Sequence, residues 1–140
     1  MGAIPRRRRV SPGTRSRRLL QLVVGVLSLV PILGGAAGVV IGPGMVGADT
    51  ASADLDSHFR YLSGIFLALG LAFLWTVPAI ESRTTVFRLL GALVVTGGVG
   101  RLLSLILSGP PTLPHLVGLG LELLVVPLLV LWQSRLARGA

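Results

Sequence analysis

The stretch Gly100-Arg101-Leu102-Leu103-Ser104-Leu105-Ile106-Leu107-Ser108-Gly109-Pro110-Pro111-Thr112-Leu113-Pro114-His115-Leu116-Val117-Gly118-Leu119-Gly120-Leu121-Glu122 decides the fold. Two apolar segments meet at a Gly-Pro-Pro turn, and each carries one charge inside its run. Arg101 stands ten residues before Pro111 and Glu122 eleven after it. If both segments are helices, the charges lie at matching depth, roughly 9–12 Å from the helix ends at about 1.5 Å per residue. An Arg or Asp at the centre of a membrane helix costs roughly 2.5–3.5 kcal/mol on the insertion scale. An ion pair across the hairpin is the natural relief, and the stretch reads as a membrane hairpin built around that pair.

The surrounding composition agrees. The chain has 140 residues, enough for one domain, with a mean hydropathy of +0.84 and only 13% charged residues. Apolar runs of about 20 residues recur, the length that crosses ~30 Å of hydrocarbon. Four spans are expected, at about 19–42, 57–78, 85–107 and 114–133, forming an all-α, antiparallel four-transmembrane-helix bundle over residues 19–134. Residues 1–18 are expected to be a disordered basic arm, and residues 135–140 a short tail. The net charge of +8 comes from thirteen Arg and no Lys against five acids. Such a balance suits nucleic acid, but most of these residues flank apolar segments and no aromatic or folded reader accompanies them, so no nucleic-acid partner is expected. The chain has no Cys, which excludes disulfides, thiol catalysis and cysteine-ligated metals.

The basic arm holds seven Arg and two Pro in residues 1–18. Such an arm anchors the orientation of the next helix, and it attracts anionic lipid by about 1 kcal/mol per basic residue near the surface. A rival reading treats this end as a signal peptide, with Ser16-Arg17-Arg18 as a twin-arginine hint and Ala51-Ser52-Ala53 as a cleavage site. The apolar run is too long for that, and Ala51 lies well beyond its end, so retention as a membrane span is expected. Gly34, Gly38 and Gly42 recur every four residues in the first span, and Gly64, Ala68 and Ala72 do so in the second. Both stripes are candidate faces for close helix packing, within the chain or against a partner or second copy. Pro31 is a candidate kink. Asp56 or Ser57 is a candidate N-cap for the second span. Asp54, Asp56 and His58 have the residue types of a hard-metal site but not its spacing, and capping accounts for them, so no metal is expected.

Eleven Arg, seven in the arm together with Arg83, Arg88, Arg135 and Arg138, fall on one side of this arrangement, and none lies in the two opposite connectors, 43–56 and 108–113. The positive-inside rule then puts both termini in the cytoplasm and Arg101, Glu122, His58, Arg60 and His115 in the outer half of the bilayer.

Several short runs also resemble a known family. They are His58-Phe59-Arg60-Tyr61-Leu62-Ser63-Gly64, Gly97-Gly98-Val99-Gly100-Arg101-Leu102-Leu103-Ser104, Ser108-Gly109-Pro110-Pro111, and Glu122 followed by Pro127. In their order and spacing they resemble the bacterial domain-of-unknown-function 4345 family, over about residues 19–134. The resemblance implies a small four-helix protein of the bacterial inner membrane, with Arg60, Arg101 and Glu122 at characteristic polar positions. It implies no activity.

The candidate polar cluster is therefore Arg101, Glu122, Arg60, His58, His115 and Ser104. Intramembrane ionisable groups mark functional sites by default, so a pocket for a lipid or small molecule is one reading. A purely structural clamp between the third and fourth spans is another, since breaking a buried pair costs ~3–5 kcal/mol by itself. The clamp fits an accessory subunit of a larger membrane complex. A small transporter is a third reading, weakened by a first span without charge. No serine has a histidine and carboxylate at matching depth, and His58 and His115 sit too near the helix ends for a bis-histidine haem. No cofactor is expected, and nothing in the residues supports an enzymatic activity.

Overall fold

The computed structural model describes residues 12–48 and 51–139. Among these there is no strand, and four segments are long and apolar enough to cross a membrane: Gly13–Val46, Ala53–Ala79, Thr84–Ser108 and Leu113–Ala137. Helix α1 runs Pro12–Ile41 and passes through Pro31 before tightening into a 3₁₀ turn at Gly42–Val46. Helix α2 runs Ala53–Thr76 and ends in a 3₁₀ turn at Val77–Ala79. Helix α3 runs Thr84–Ser108. The fourth span begins as α4, Leu113–Gly120, widens into a π turn at Leu121–Val125, and continues as α5, Val126–Ala137.

Each boundary has a local cause. Helix α1 starts at Pro12, well before the expected Leu19, so residues 12–18 of the arm are helical. Their polar side chains dock on the rest of the protein: Arg17 pairs with Glu81 at 2.9 Å, and the Ser16 hydroxyl accepts from Trp132 Nε1 at 3.0 Å. Residues 1–11 of the arm lie outside the described residues. The N-cap of α2 is Ser52, whose Oγ accepts from Leu55 N at 3.2 Å, rather than Asp56 or Ser57. Asp54 and Asp56 then fall in the first turn, where the positive end of the helix favours them. The π turn precedes Pro127, which cannot donate to a carbonyl four residues back and whose ring would crowd it. The carbonyl of Leu121 instead accepts from Val126 N, one residue further on than in an α-helix.

The helices associate as two hairpins. Helix α1 packs along α2 for much of its length, and α3 packs along the fourth span. The α1–α2 seam is close. A Cβ on Gly35 would lie 2.5 Å from Leu67 N and 2.7 Å from Ser63 O, and one on Gly70 would lie 2.9 Å from Ile32 N. Gly38 meets the Ser63 side chain, whereas Gly34 reaches only the Phe66 ring, at 3.5 Å. The facing stripe of α2 is thus Ser63, Leu67 and Gly70. Gly64 touches α1 only at the edge of the seam, through Val39 at 3.9 Å, and Ala68 is exposed. Gly42 plays a turn role instead: its φ of +75° is a left-handed conformation that suits glycine, and a Cβ there would meet Arg60 and Asp56.

The hairpins meet mainly at the end that carries both described chain ends. Leu20, Val24, Ile80, Phe87 and Leu129 form the buried core there, with Phe73 and Phe87 edge to face at 5.5 Å. Farther from it, α4 packs on α3 and on neither α1 nor α2. Outward side chains such as Leu22, Val40, Leu107 and Leu113 are exposed, as expected of a surface solvated by lipid tails.

The seam yields a paired prediction. Gly35→Ala forces a methyl group into backbone atoms that cannot swing aside, and it should destabilise by about 1–3 kcal/mol. Gly25→Ala, with nothing within 4 Å, should be neutral or stabilise by up to about 1 kcal/mol through helix propensity alone. Thermal melts of the two variants in one detergent compare them directly.

Candidate functional site

Arg101 comes from the last third of α3 and Glu122 from the π turn. Their side chains meet in the side-on bidentate geometry that suits a guanidinium and a carboxylate. Arg101 Nε donates to Glu122 Oε2 at 2.9 Å, and Nη2 donates to Oε1 at 3.0 Å. The side chains are 31% and 12% exposed. Close backbone approach makes this reach possible. A Cβ on Gly98 would sit 2.9 Å from Glu122 Cβ and 2.8 Å from Leu123 Cδ2, so α3 and the π turn touch directly. One heptad earlier, Gly91 takes Val130 in the same way. On the other side, Gly118 leaves room for the guanidinium, with Arg101 Cζ 3.8 Å from where its Cβ would stand.

The pair opens onto a cavity of about 260 Å³ between the two hairpins, near the lower bound of typical small-molecule sites at roughly 300–1,000 Å³. Its walls are almost wholly apolar. Leu27 and Pro31 of α1, Phe66 and Phe73 of α2, Phe87 and Val94 of α3, and Leu121 and Val125 of the fourth span are among them. The polar groups on its lining are Arg101, Glu122, His115 and Ser28. The Ser28 hydroxyl is turned back on its own helix and donates to Val24 O at 2.7 Å. His115 Nδ1 shares a proton with Thr112 Oγ1 at 3.0 Å.

Of the six residues of the expected polar cluster, the cavity therefore brings together Arg101, Glu122 and His115. Ser104 and His58 are exposed and lie off its lining. Arg60 is engaged elsewhere. It pairs with Asp56 through Nε at 2.9 Å and Nη2 at 3.1 Å, and its Nη1 donates to Val39 O at 2.6 Å and Val40 O at 3.0 Å. Those carbonyls belong to the last turn of α1, where no intrahelical donor remains, so Arg60 closes that helix from outside. Both Asp56 oxygens are consumed by this contact.

A second polar group, at the opposite end, escaped the reading of the sequence. Gln133 is fully buried, and its Nε2 donates to Ile80 O at 2.7 Å and Thr84 Oγ1 at 2.8 Å. Gln21 Nε2 donates to Val77 O at 2.8 Å, and Arg88 donates to Ser134 Oγ from Nε at 3.3 Å and Nη2 at 3.0 Å. Arg83 stacks over Trp75 at 3.6 Å and donates to its carbonyl. Gln21 and Gln133 hold freed carbonyls of the α2–α3 turn from α1 and α5, and so tie the hairpins together. The available signal was a glutamine at the end of each terminal span, Gln21 and Gln133, which hydropathy treats as a boundary marker.

Residues 19–133 match the family described as a domain of unknown function, DUF4345. The chain belongs to that family. No curated protein and no solved structure matches it. The DUF4345 match covers all four apolar helices, which make this chain a multi-pass membrane protein. It also covers both polar groups, Arg101 with Glu122 and the Gln21–Gln133 layer.

Glu122→Leu alone strands a cation in a low-dielectric site, and it should destabilise by about 3–5 kcal/mol. Arg101→Leu combined with Glu122→Leu removes both charges and should recover most of that loss. Melting temperatures of the single and double variants in the same detergent measure the difference.

Proposed function

We propose that this protein binds a lipid or small apolar molecule in the cavity between its hairpins, beside the polar wall formed by Arg101, Glu122 and His115. The observation that carries this reading is the placement of a bidentate ion pair on the wall of an otherwise apolar cavity. A clamp needs only the pair. It does not need a cavity beside it, walled by side chains of all four spans. Ligand sites have this composition: an apolar lining with a few convergent polar groups.

The orientation in the membrane follows from charge. The described end with Arg15, Arg17, Arg18, Arg83, Arg88, Arg135 and Arg138 is the cytoplasmic end by the positive-inside rule. The bundle is then antiparallel with both termini inside, and the cavity opens in the outer half of the bilayer; the family resemblance, not the charge, supports a bacterial inner membrane as the setting. Bilayer lipid is the first available occupant.

A second reading keeps one observation in its favour. The bidentate pair and the Gly98 contact would by themselves lock α3 to the fourth span, as an accessory subunit of a larger complex would need. The glycines best suited to dock a partner helix, Gly35 and Gly38, are already filled by α2.

Native mass spectrometry of the protein released from mild detergent separates the two readings. A binding protein should carry an adduct that survives release and disappears when Val94→Trp fills the cavity. A protein free of adduct that assembles into a discrete larger species would overturn binding in favour of the subunit reading.

A further inference from the structure

The charge balance of the cavity goes further than its shape, and this step rests on the binding reading above. Arg101 and Glu122 neutralise one another, so the polar wall has no net charge. An anionic ligand entering beside Glu122 would leave one negative charge uncompensated in an apolar surrounding, which is strongly disfavoured. A ligand without polar atoms would leave a hydrogen-bond donor unused, because Arg101 Nη1 makes no hydrogen bond among the described residues. The ligand that satisfies both conditions is uncharged and carries an oxygen acceptor. We infer that the site takes a neutral, long apolar molecule with one carbonyl oxygen, an ester or ketone, which accepts from Arg101 while its hydrocarbon fills the cavity.

The neighbourhood is arranged for such a contact. Glu122 holds Nε and Nη2 and so fixes the guanidinium plane, with Nη1 on the outer corner of the fork. Gly118 of the fourth span lies against the guanidinium on its Nε side, with Cζ 3.8 Å and Nε 3.9 Å from where its Cβ would stand. His115 is tied to Thr112 through Nδ1, which leaves its other ring nitrogen without a hydrogen bond among the described residues. Glu122 is here a positioning residue: it neutralises and aims Arg101 and makes no contact with the ligand carbonyl.

The test is equilibrium binding of three probes of one chain length, methyl palmitate, palmitate and hexadecane, to the full chain in nanodiscs at pH 8. The wild type should bind methyl palmitate about tenfold more tightly than hexadecane, the gain of one hydrogen bond to a charged donor, and palmitate least of all. Glu122→Gln makes the wall cationic and should reverse the order of ester and carboxylate. Palmitate binding best to the wild type, or an order unchanged in a folded Glu122→Gln protein, would overturn the inference. If Glu122→Gln does not fold, Arg101→Gln with Glu122→Gln carries the test. This uncharged variant should lose the preference for ester over hexadecane, and a retained preference overturns the role of Arg101. Equal, non-saturable partition of all three probes would instead overturn the binding reading itself. Nanodiscs of ester-linked and ether-linked phospholipid identify the source of the carbonyl. Weaker methyl palmitate binding in ester-linked discs assigns the site to bilayer lipid, and equal binding assigns it to a free neutral molecule.

Discussion

The pairing of Arg101 with Glu122 constrains more of this structure than any other contact. Neither residue is tolerable alone in hydrocarbon, and together they are tolerable only if the geometry leaves few lone pairs and protons unused. The side-on bidentate contact achieves that, and it dictates the local backbone. Glu122 must stand close to α3, so position 98 is glycine and the helices touch. Gly118 packs against the guanidinium from the fourth span, with Arg101 Cζ 3.8 Å from where its Cβ would stand. The π turn at Leu121–Val125 lets the chain carry Glu122 into this contact and still accommodate Pro127 below it. The ion pair thus accounts for the glycine at 98 and the register between α3 and the fourth span, while Pro127 accounts for the π turn within that span.

The other end solves a different problem. Backbone carbonyls left free by the 3₁₀ turn at Val77–Ala79 have no water to turn to where they face the bundle. Gln21 and Gln133 supply amide donors from α1 and α5, and they cross-link elements far apart in sequence. Arg17 with Glu81 adds a more exposed ion pair, worth less than about 1 kcal/mol because solvent screens it. The amides and the Leu20–Phe87 core hold the hairpins together at this end, and among the described residues nothing comparable does so at the other. The cavity is the geometric result of two hairpins joined at one end.

Much of this was legible in the residues. Run length gave four apolar helices, and equal distance from Pro111 brought Arg101 and Glu122 face to face, because depth in a helix is linear in residue number. Finer packing was not legible for a definite reason. The stripes Gly34-Gly38-Gly42 and Gly35-Gly38-Gly42 both satisfy helical spacing, and only the partner surface selects Gly35. Arg60 is another such case. Its residue type suits a polar site, but the open carbonyls of Val39 and Val40 lie nearer to it than the cavity does, and they exist only once α1 has ended. Gln133 was passed over because a lone amide at the end of a span reads as interface, and its partners come from a turn about fifty residues away. In each case the missing information is tertiary: which unsatisfied group another element presents.

The open end finally bears on what the protein needs in its membrane. Packing defects in protein interiors cost about 24 cal/mol per Å³ of cavity, so an empty space of this size would forfeit roughly 6 kcal/mol, comparable to the whole stability of a small domain. On the proposed binding reading, hydrocarbon fills the cavity and recovers that loss. What remains selectable is the headgroup that comes with the chain. The walls treat all hydrocarbon alike, since dispersion and burial do not distinguish one acyl chain from another. Any discrimination must come from the few polar atoms on the lining, and the cation–carboxylate pair there has its charges cancelled and N–H groups to spare on Nη1 and Nη2. Selectivity in such a site therefore rests on hydrogen bonding and on the exclusion of net charge, not on shape.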